Sequence, residues 1–159
     1  MLADTLAAME GTEAAWVTAS GMGAITTAIL QILNSGDHMV ASTTIYGGTY
    51  AFFKNWLPKI NVEVTFVDPT DLEAIQSAIK PNTQLLYVEA VSNPLLQVAD
   101  LPAMAELTQK NGMKLMVDNT FTPMIMAPSA QGADIVVYSM TKFINGQNDC
   151  VAGAICGSQ

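Results

Sequence analysis

Short runs of apolar, β-branched and aromatic residues alternate along this chain with stretches in which apolar positions recur three or four apart. The first pattern has the period of a strand and the second that of a helix. Strands are predicted over Ala14–Thr18, His38–Ala41, Glu63–Val67, Gln84–Glu89, Lys114–Asp118, Ile135–Tyr138 and Ala152–Cys156. Helices are predicted over Gly21–Leu33, Thr49–Leu57, Asp71–Ile79 and Leu101–Asn111. Turn signals separate them, among them Asn34-Ser35-Gly36-Asp37, Asp68-Pro69-Thr70, Lys80-Pro81-Asn82 and Lys110-Asn111-Gly112. Strand and helix in alternation predict an α/β fold in three layers, a mostly parallel sheet covered by helices on both faces. No repeat, linker or low-complexity tract divides it, so one domain is expected. Leu2, Leu6 and Met9 share a helical face from the first residues, with no capping residue before them, and Gln159 follows the last strand by three residues. The expectation is a piece of a longer protein, lacking an N-terminal arm and a C-terminal small domain.

Composition narrows the function classes. Half of the 159 residues are hydrophobic and 13% are charged, enough apolar surface for a sizeable core. A mean hydropathy of +0.32 and ten methionines are high. Two readings are open: the excess covers an interface, or it fills a Met-rich core. No apolar run approaches the roughly 18 residues that span a bilayer, so no membrane role is expected. The start, Met1-Leu2-Ala3-Asp4, lacks the basic segment of a secretory signal, and a cytoplasmic protein is expected. A net charge of −8 argues against a nucleic-acid surface. All six cations are lysines, so no guanidinium is present to grip a substrate carboxylate in bidentate fashion. Cys150 and Cys156 fall six apart in an extended stretch, about 20 Å, too far for a disulfide with each other, and both are expected to be reduced and buried.

The candidate chemistry lies at predicted strand ends, where open α/β sheets bind ligands. Lys142, in Tyr138-Ser139-Met140-Thr141-Lys142-Phe143, stands beside two hydroxyls and has the character of a Schiff-base lysine for pyridoxal phosphate. Ser139 and Thr141 are placed to reach its phosphate, or else cap the turn. Ser20-Gly21-Met22-Gly23-Ala24 lies between a strand and a helix, where backbone amides cradle phosphate or simply begin a capped helix. Asp118 closes an apolar strand, a position for a carboxylate facing a pyridinium nitrogen or for a turn aspartate. Tyr46, before the glycine pair Gly47-Gly48, is a candidate for stacking on the cofactor or moving a proton, and otherwise a tyrosine at the core rim. Glu89 and Asn93 put a carboxylate and an amide at another strand end, with Asn93 able to bond a ring hydroxyl or to shape an Asn-Pro turn. His38, the only histidine, is read as a capping or surface residue. Without Cys-x-x-Cys or His-x-x-Glu spacing no metal site is predicted. No G-x-S-x-G supports a serine hydrolase, and Gly21-Met22-Gly23 is only half of a dinucleotide fingerprint.

Taken together, Met9-Glu10-Gly11, Ser20 through Ile25, Tyr46-Gly47-Gly48-Thr49, Glu89 through Pro94, Val117-Asp118-Asn119-Thr120 and Ser139 through Phe143 resemble the Cys/Met-metabolism family of pyridoxal phosphate enzymes. The resemblance covers essentially the whole chain. It implies the large domain of the aspartate-aminotransferase-like fold (fold type I), with pyridoxal 5'-phosphate as cofactor. It also implies Lys142 as the Schiff-base and proton-moving lysine and Asp118 on the ring nitrogen. The phosphate would fall to the Gly21 and Met22 amides with the Ser139 and Thr141 hydroxyls, and Tyr46 would lie over the ring as the second catalytic group. The implied activity is γ-elimination or γ-replacement on cystathionine, methionine or an O-acylhomoserine. An O-acylhomoserine sulfhydrylase or a β-lyase is the alternative, and an inactive cofactor-binding fragment is the reading from another class. The partners implied are a small amino-acid substrate and further copies of the chain in a homo-oligomer, a dimer of dimers. Three positions depart from the family's pattern: Tyr138 and Gln147 stand where histidine is usual or frequent, and Gly48 stands where methionine γ-lyases carry cysteine.

Overall fold

The computed structural model describes residues 1–158. Its strands are β1 (Ala14–Thr18), β2 (His38–Ser42), β3 (Glu63–Val67), β4 (Thr83–Glu89), β5 (Lys114–Asp118), β6 (Ile135–Ser139) and β7 (Gly153–Gly157). They form one seven-stranded sheet in the order β1-β7-β6-β5-β4-β2-β3. From β3 to β6 neighbouring strands are parallel, whereas β7 runs antiparallel to both β6 and β1. The helices are α1 (Leu2–Glu10), α2 (Gly21–Ile32), α3 (Gly47–Asn55), α4 (Leu72–Ala78) and α5 (Leu101–Lys110). The expected mostly parallel α/β sheet is present.

The helices begin where their sequences provide oxygen acceptors. Ser20, Asp71 and Asp100 each accept a hydrogen bond from an amide of the first turn of α2, α4 and α5. Such caps contribute about 1 kcal/mol each. Each sheet face then buries one set of alternating side chains. Val40, Leu86, Val88, Leu115, Val117, Val136 and Tyr138 pack with Leu6, Ile75, Leu101 and Met104 of α1, α4 and α5. Met39, Ala41, Leu85, Tyr87, Met116 and Val137 pack with Ile25, Ile29 and Phe53 of α2 and α3. The Phe53 ring meets Tyr87 edge to face at 4.9 Å. Each such large side chain, fully removed from water, stabilises the fold by about 1.5–3 kcal/mol.

This alternation also fixes the site. Two residues beyond Tyr87, Met116 and Val137 lie Glu89, Asp118 and Ser139, so all three strand ends offer a polar side chain on the α2/α3 face.

Three local expectations are corrected. His38 is fully buried, its ring nitrogens bonded to Thr83 Oγ1 at 2.7 Å and Thr65 Oγ1 at 2.8 Å, so it ties β2 to both neighbouring strands. Burial, followed by the Lys80 charge, holds its pKa below the usual imidazole value. Cys150 is exposed, while Cys156 is buried as expected. The first helix exists, but Leu2 and Met9 are 54% and 42% exposed, and it is Leu6, Ala7 and Glu10 that turn inward. The Glu10 carboxylate accepts from Tyr138 Oη and from the Ser129 amide, and these bonds fix the rotation of the helix. Among the described residues no helix is long and apolar enough to cross a membrane, and no group of three or more His, Cys, Asp or Glu side chains converges as a metal site.

Candidate active site

A cleft of about 770 Å³ opens where β4, β5 and β6 end and α2 and α3 begin. The head of α2 supplies Gly21 and Met22 to its wall, and the residue before α3 supplies Tyr46. Asn93 comes from the loop after β4, joined to Pro94 by a cis peptide bond, and Asp118 from the end of β5. Ser139 ends β6, and Thr141 and Lys142 lie in the turn beyond it. The eight residues predicted from the sequence are thus brought together in one wall.

The phosphate candidates are packed closely. Ser20 Oγ accepts from the Gly23 amide at 3.0 Å, which leaves the amides of Gly21 and Met22 ahead of it at the positive end of the helix. A Cβ on Gly21 would stand 2.5 Å from Ser139 Cβ and 2.9 Å from its Cα, so only glycine lets the helix start approach the end of β6. The Ser139 amide donates to Thr120 Oγ1 at 2.8 Å. The Thr141 hydroxyl bonds the backbone of Ala152, at 3.2 Å to its amide and 3.3 Å to its carbonyl, the turn-capping arrangement that the sequence left open. Lys142 is exposed, its amide bonded to the Ser139 carbonyl at 3.2 Å and its carbonyl to the Gly146 amide at 2.8 Å. The ring of the next residue, Phe143, meets Phe121 edge to face at 5.5 Å.

Two carboxylates stand side by side, since Glu89 and Asp118 are register partners on β4 and β5. Asp118 is 7% exposed, accepting from the Thr120 amide at 2.9 Å and from Tyr87 Oη at 3.3 Å. Burial raises its pKa, against the pull of those bonds. Glu89 accepts from the Tyr46 amide at 2.7 Å, and burial, then the Asp118 charge, push it up to about 7.

Sequence reasoning left three contributors out of the site. Thr120 fixes both Asp118 and Ser139, and the run Asp118-Asn119-Thr120 was the available signal. Glu89 reads in the sequence as a strand-end carboxylate without a task. Behind the wall, Asn119 Nδ2 donates to Tyr138 Oη at 3.0 Å, and Tyr138 donates to Glu10, so a buried chain runs from α1 to the turn after Asp118. Pairing over 128 positions leaves no local signal.

The donor set suits pyridoxal phosphate. Amides and hydroxyls at a helix start suit a phosphate, a buried carboxylate suits a ring cation, and an amine suits an aldehyde. Comparison with known proteins agrees. Methionine gamma-lyase of Arabidopsis thaliana is 48% identical over 160 residues, covering 99% of this chain and 36% of that protein. Cystathionine gamma-lyase of Bacillus subtilis is 45% identical, covering 92% of this chain and 39% of that protein. The crystal structure of metB from Corynebacterium glutamicum superposes with a TM-score of 0.96 at 39% identity, covering 99% of this chain and 41% of that one. The chain therefore spans about two fifths of the length of the relatives it matches. The family match itself runs over residues 1–159, the whole of the chain, and by it this chain belongs to the Cys/Met metabolism PLP-dependent enzymes.

Proposed function

We propose that this chain is the cofactor-binding large domain of a pyridoxal phosphate-dependent lyase or transferase of sulfur amino-acid metabolism. The observation that carries the reading is the convergence of Lys142, the buried Asp118 carboxylate and the Gly21–Met22 helix start in one cleft. Bound there, the cofactor supplies an electron-withdrawing ring that stabilises negative charge on the substrate carbon. Asp118 would hold a positive charge at the ring nitrogen, and the helix start with Ser139 would anchor the phosphate. Lys142 would be the amine that holds the cofactor's aldehyde and the group that moves protons at substrate carbons within its reach, and Tyr46 would lie over the ring and assist as acid or base. Relatives named methionine, cystathionine and canavanine gamma-lyase favour γ-elimination over γ-replacement. The substrate is a small amino acid, and the working assembly is a cytoplasmic homo-oligomer.

The 159 residues contain no arginine, so none of them offers a guanidinium to grip the substrate carboxylate in bidentate fashion. This favours a second reading for the chain in isolation, a module that binds cofactor without turning substrate over.

The test is borohydride reduction of the folded chain with pyridoxal phosphate, which makes the lysine–aldehyde condensation permanent, followed by peptide mass mapping. Labelling confined to Lys142 is expected, and Lys142→Ala should remove it. Equal labelling of Lys54, Lys59, Lys80, Lys110 and Lys114 would refute the site.

A further inference from the structure

We infer that Glu89 is a positioning residue of this site: its carboxylate anchors the loop carrying Tyr46 to the end of β4 and so sets where the Tyr46 ring stands at the cleft. Burial does not place that ring, because Tyr46 is 60% exposed. Nor does its side chain cap α3, which it precedes with φ −48° and ψ 133°. The two residues that follow are glycines and offer no side chain to pack on. The Tyr46 carbonyl accepts from the Tyr50 amide at 2.9 Å within α3, and what ties the residue to the sheet is the 2.7 Å bond from its amide to Glu89 Oε1, across 43 positions of sequence. A carboxylate at this point also faces the positive end of α3.

The backbone anchor is passed on to the ring. A Cβ on Gly48 would lie 2.5 Å from Tyr46 Cε1, so the ring lies directly against the first turn of the helix. A shift of that turn moves the ring with it. Glu89 also interacts with the backbone of Asn93, so one carboxylate joins both loops that flank the cleft on this side. Asp118 lies beside it in register, which places the anchor next to the candidate ring-nitrogen partner.

The anchor is sensitive to charge. The titratable groups around Glu89 are Asp118 on β5, Tyr87 two residues back on its own strand, Tyr46 before α3, and Lys142 in the same cleft wall. Burial and Asp118 hold the carboxyl near neutrality, at about 7, so the anchor passes between a neutral and a charged acceptor within the ordinary pH range. The charged form is the stronger acceptor for the Tyr46 amide.

The consequence for the cofactor rests on the function proposed above, but the anchor itself is tested without any cofactor. In isotope-labelled chain, the Tyr46 amide and ring resonances are followed by NMR from about pH 5.5 to about pH 8.5, a span that brackets the carboxyl. The amide is expected to move downfield as Glu89 ionises, and the ring resonances to move with the same midpoint. Glu89→Gln, which keeps the shape and an acceptor oxygen, should leave both flat. Glu89→Ala should speed solvent exchange of the Tyr46 amide by on the order of tenfold, the loss of one charge-assisted hydrogen bond. A Tyr46 amide that does not titrate in the wild type, or titrates equally in Glu89→Gln, overturns the anchor. A titrating amide with unmoved ring resonances overturns its control of the ring. Failure of pyridoxal phosphate to label Lys142 would refute the proposed function and leave these resonances to decide the role of Glu89.

Discussion

Gly153→Ala is expected to destabilise the fold by about 2–3 kcal/mol, the cost of forcing an extra methyl into a closed contact. Gly153 lies on β7 between Thr18 of β1 and Ser139 of β6. An added Cβ would overlap the Ser20 carbonyl oxygen and stand 2.6 Å from both the Ser20 carbonyl carbon and Thr18 Oγ1. None of these atoms can give way cheaply. The Ser20 carbonyl already accepts from Thr18 Oγ1 at 2.9 Å and from the Ala24 amide at 3.0 Å, so moving it disturbs the first turn of α2. That turn is pressed in its own way against Ser139 by Gly21. The helix start is therefore wedged between two strands by two missing side chains. Gly47→Ala serves as the control, since a Cβ there meets nothing within 4 Å, and it should change stability by no more than about 0.5 kcal/mol. Urea midpoints of the two variants decide the matter: equal midpoints would show that α2 is free to shift and that the close approach is not required.

Much of this fold was legible because strand and helix periods are local. Ala14–Thr18, Glu63–Val67 and Lys114–Asp118 have the boundaries that their hydrophobic patterns predict, and the other strands differ only at their ends. The hydrophobic pattern starts α3 at Thr49, because a glycine pair reads as loop, yet Gly47 and Gly48 form its first turn. Polar residues at strand ends were legible as a cleft, since the side-chain period of two assigns Asp118 and Ser139 to the same face. Long-range polar pairing was not legible. Nothing near Glu10 indicates a bond to Tyr138, and a lone histidine beginning a strand does not reveal that threonines on two neighbouring strands will receive its ring. Glu89 was visible as a residue but not as an anchor, because its task depends on the amide of Tyr46, which carries no sequence signature.

Glu89 also makes the stability of the fold depend on pH. Its carboxyl titrates at about 7 in the folded chain against 4.5 when unperturbed. Below about 4.5 it is protonated in both states and contributes nothing to the pH dependence. Between the two values the unfolded chain has released the proton that the folded chain still holds, so stability falls as pH rises, by on the order of 2–3 kcal/mol, and levels off above 7. Asp118, raised by burial, acts in the same direction from a lower starting pH. His38 acts in the opposite direction, because its lowered pKa makes stability rise as pH passes up through the usual imidazole range. The wild-type profile therefore mixes opposing contributions, and the informative quantity is the difference from Glu89→Gln, in which the Asp118 and His38 contributions largely cancel. At about pH 5 the variant and the wild type should unfold at similar urea concentrations, and at about pH 8 the variant should be the more stable. A constant difference between the two pH values would mean that Glu89 titrates in the folded chain as it does in water. Under the function proposed above, a protonated pyridine nitrogen held at Asp118 would offset the repulsion between the two neighbouring carboxylates, so bound cofactor should reduce the loss of stability above about pH 7.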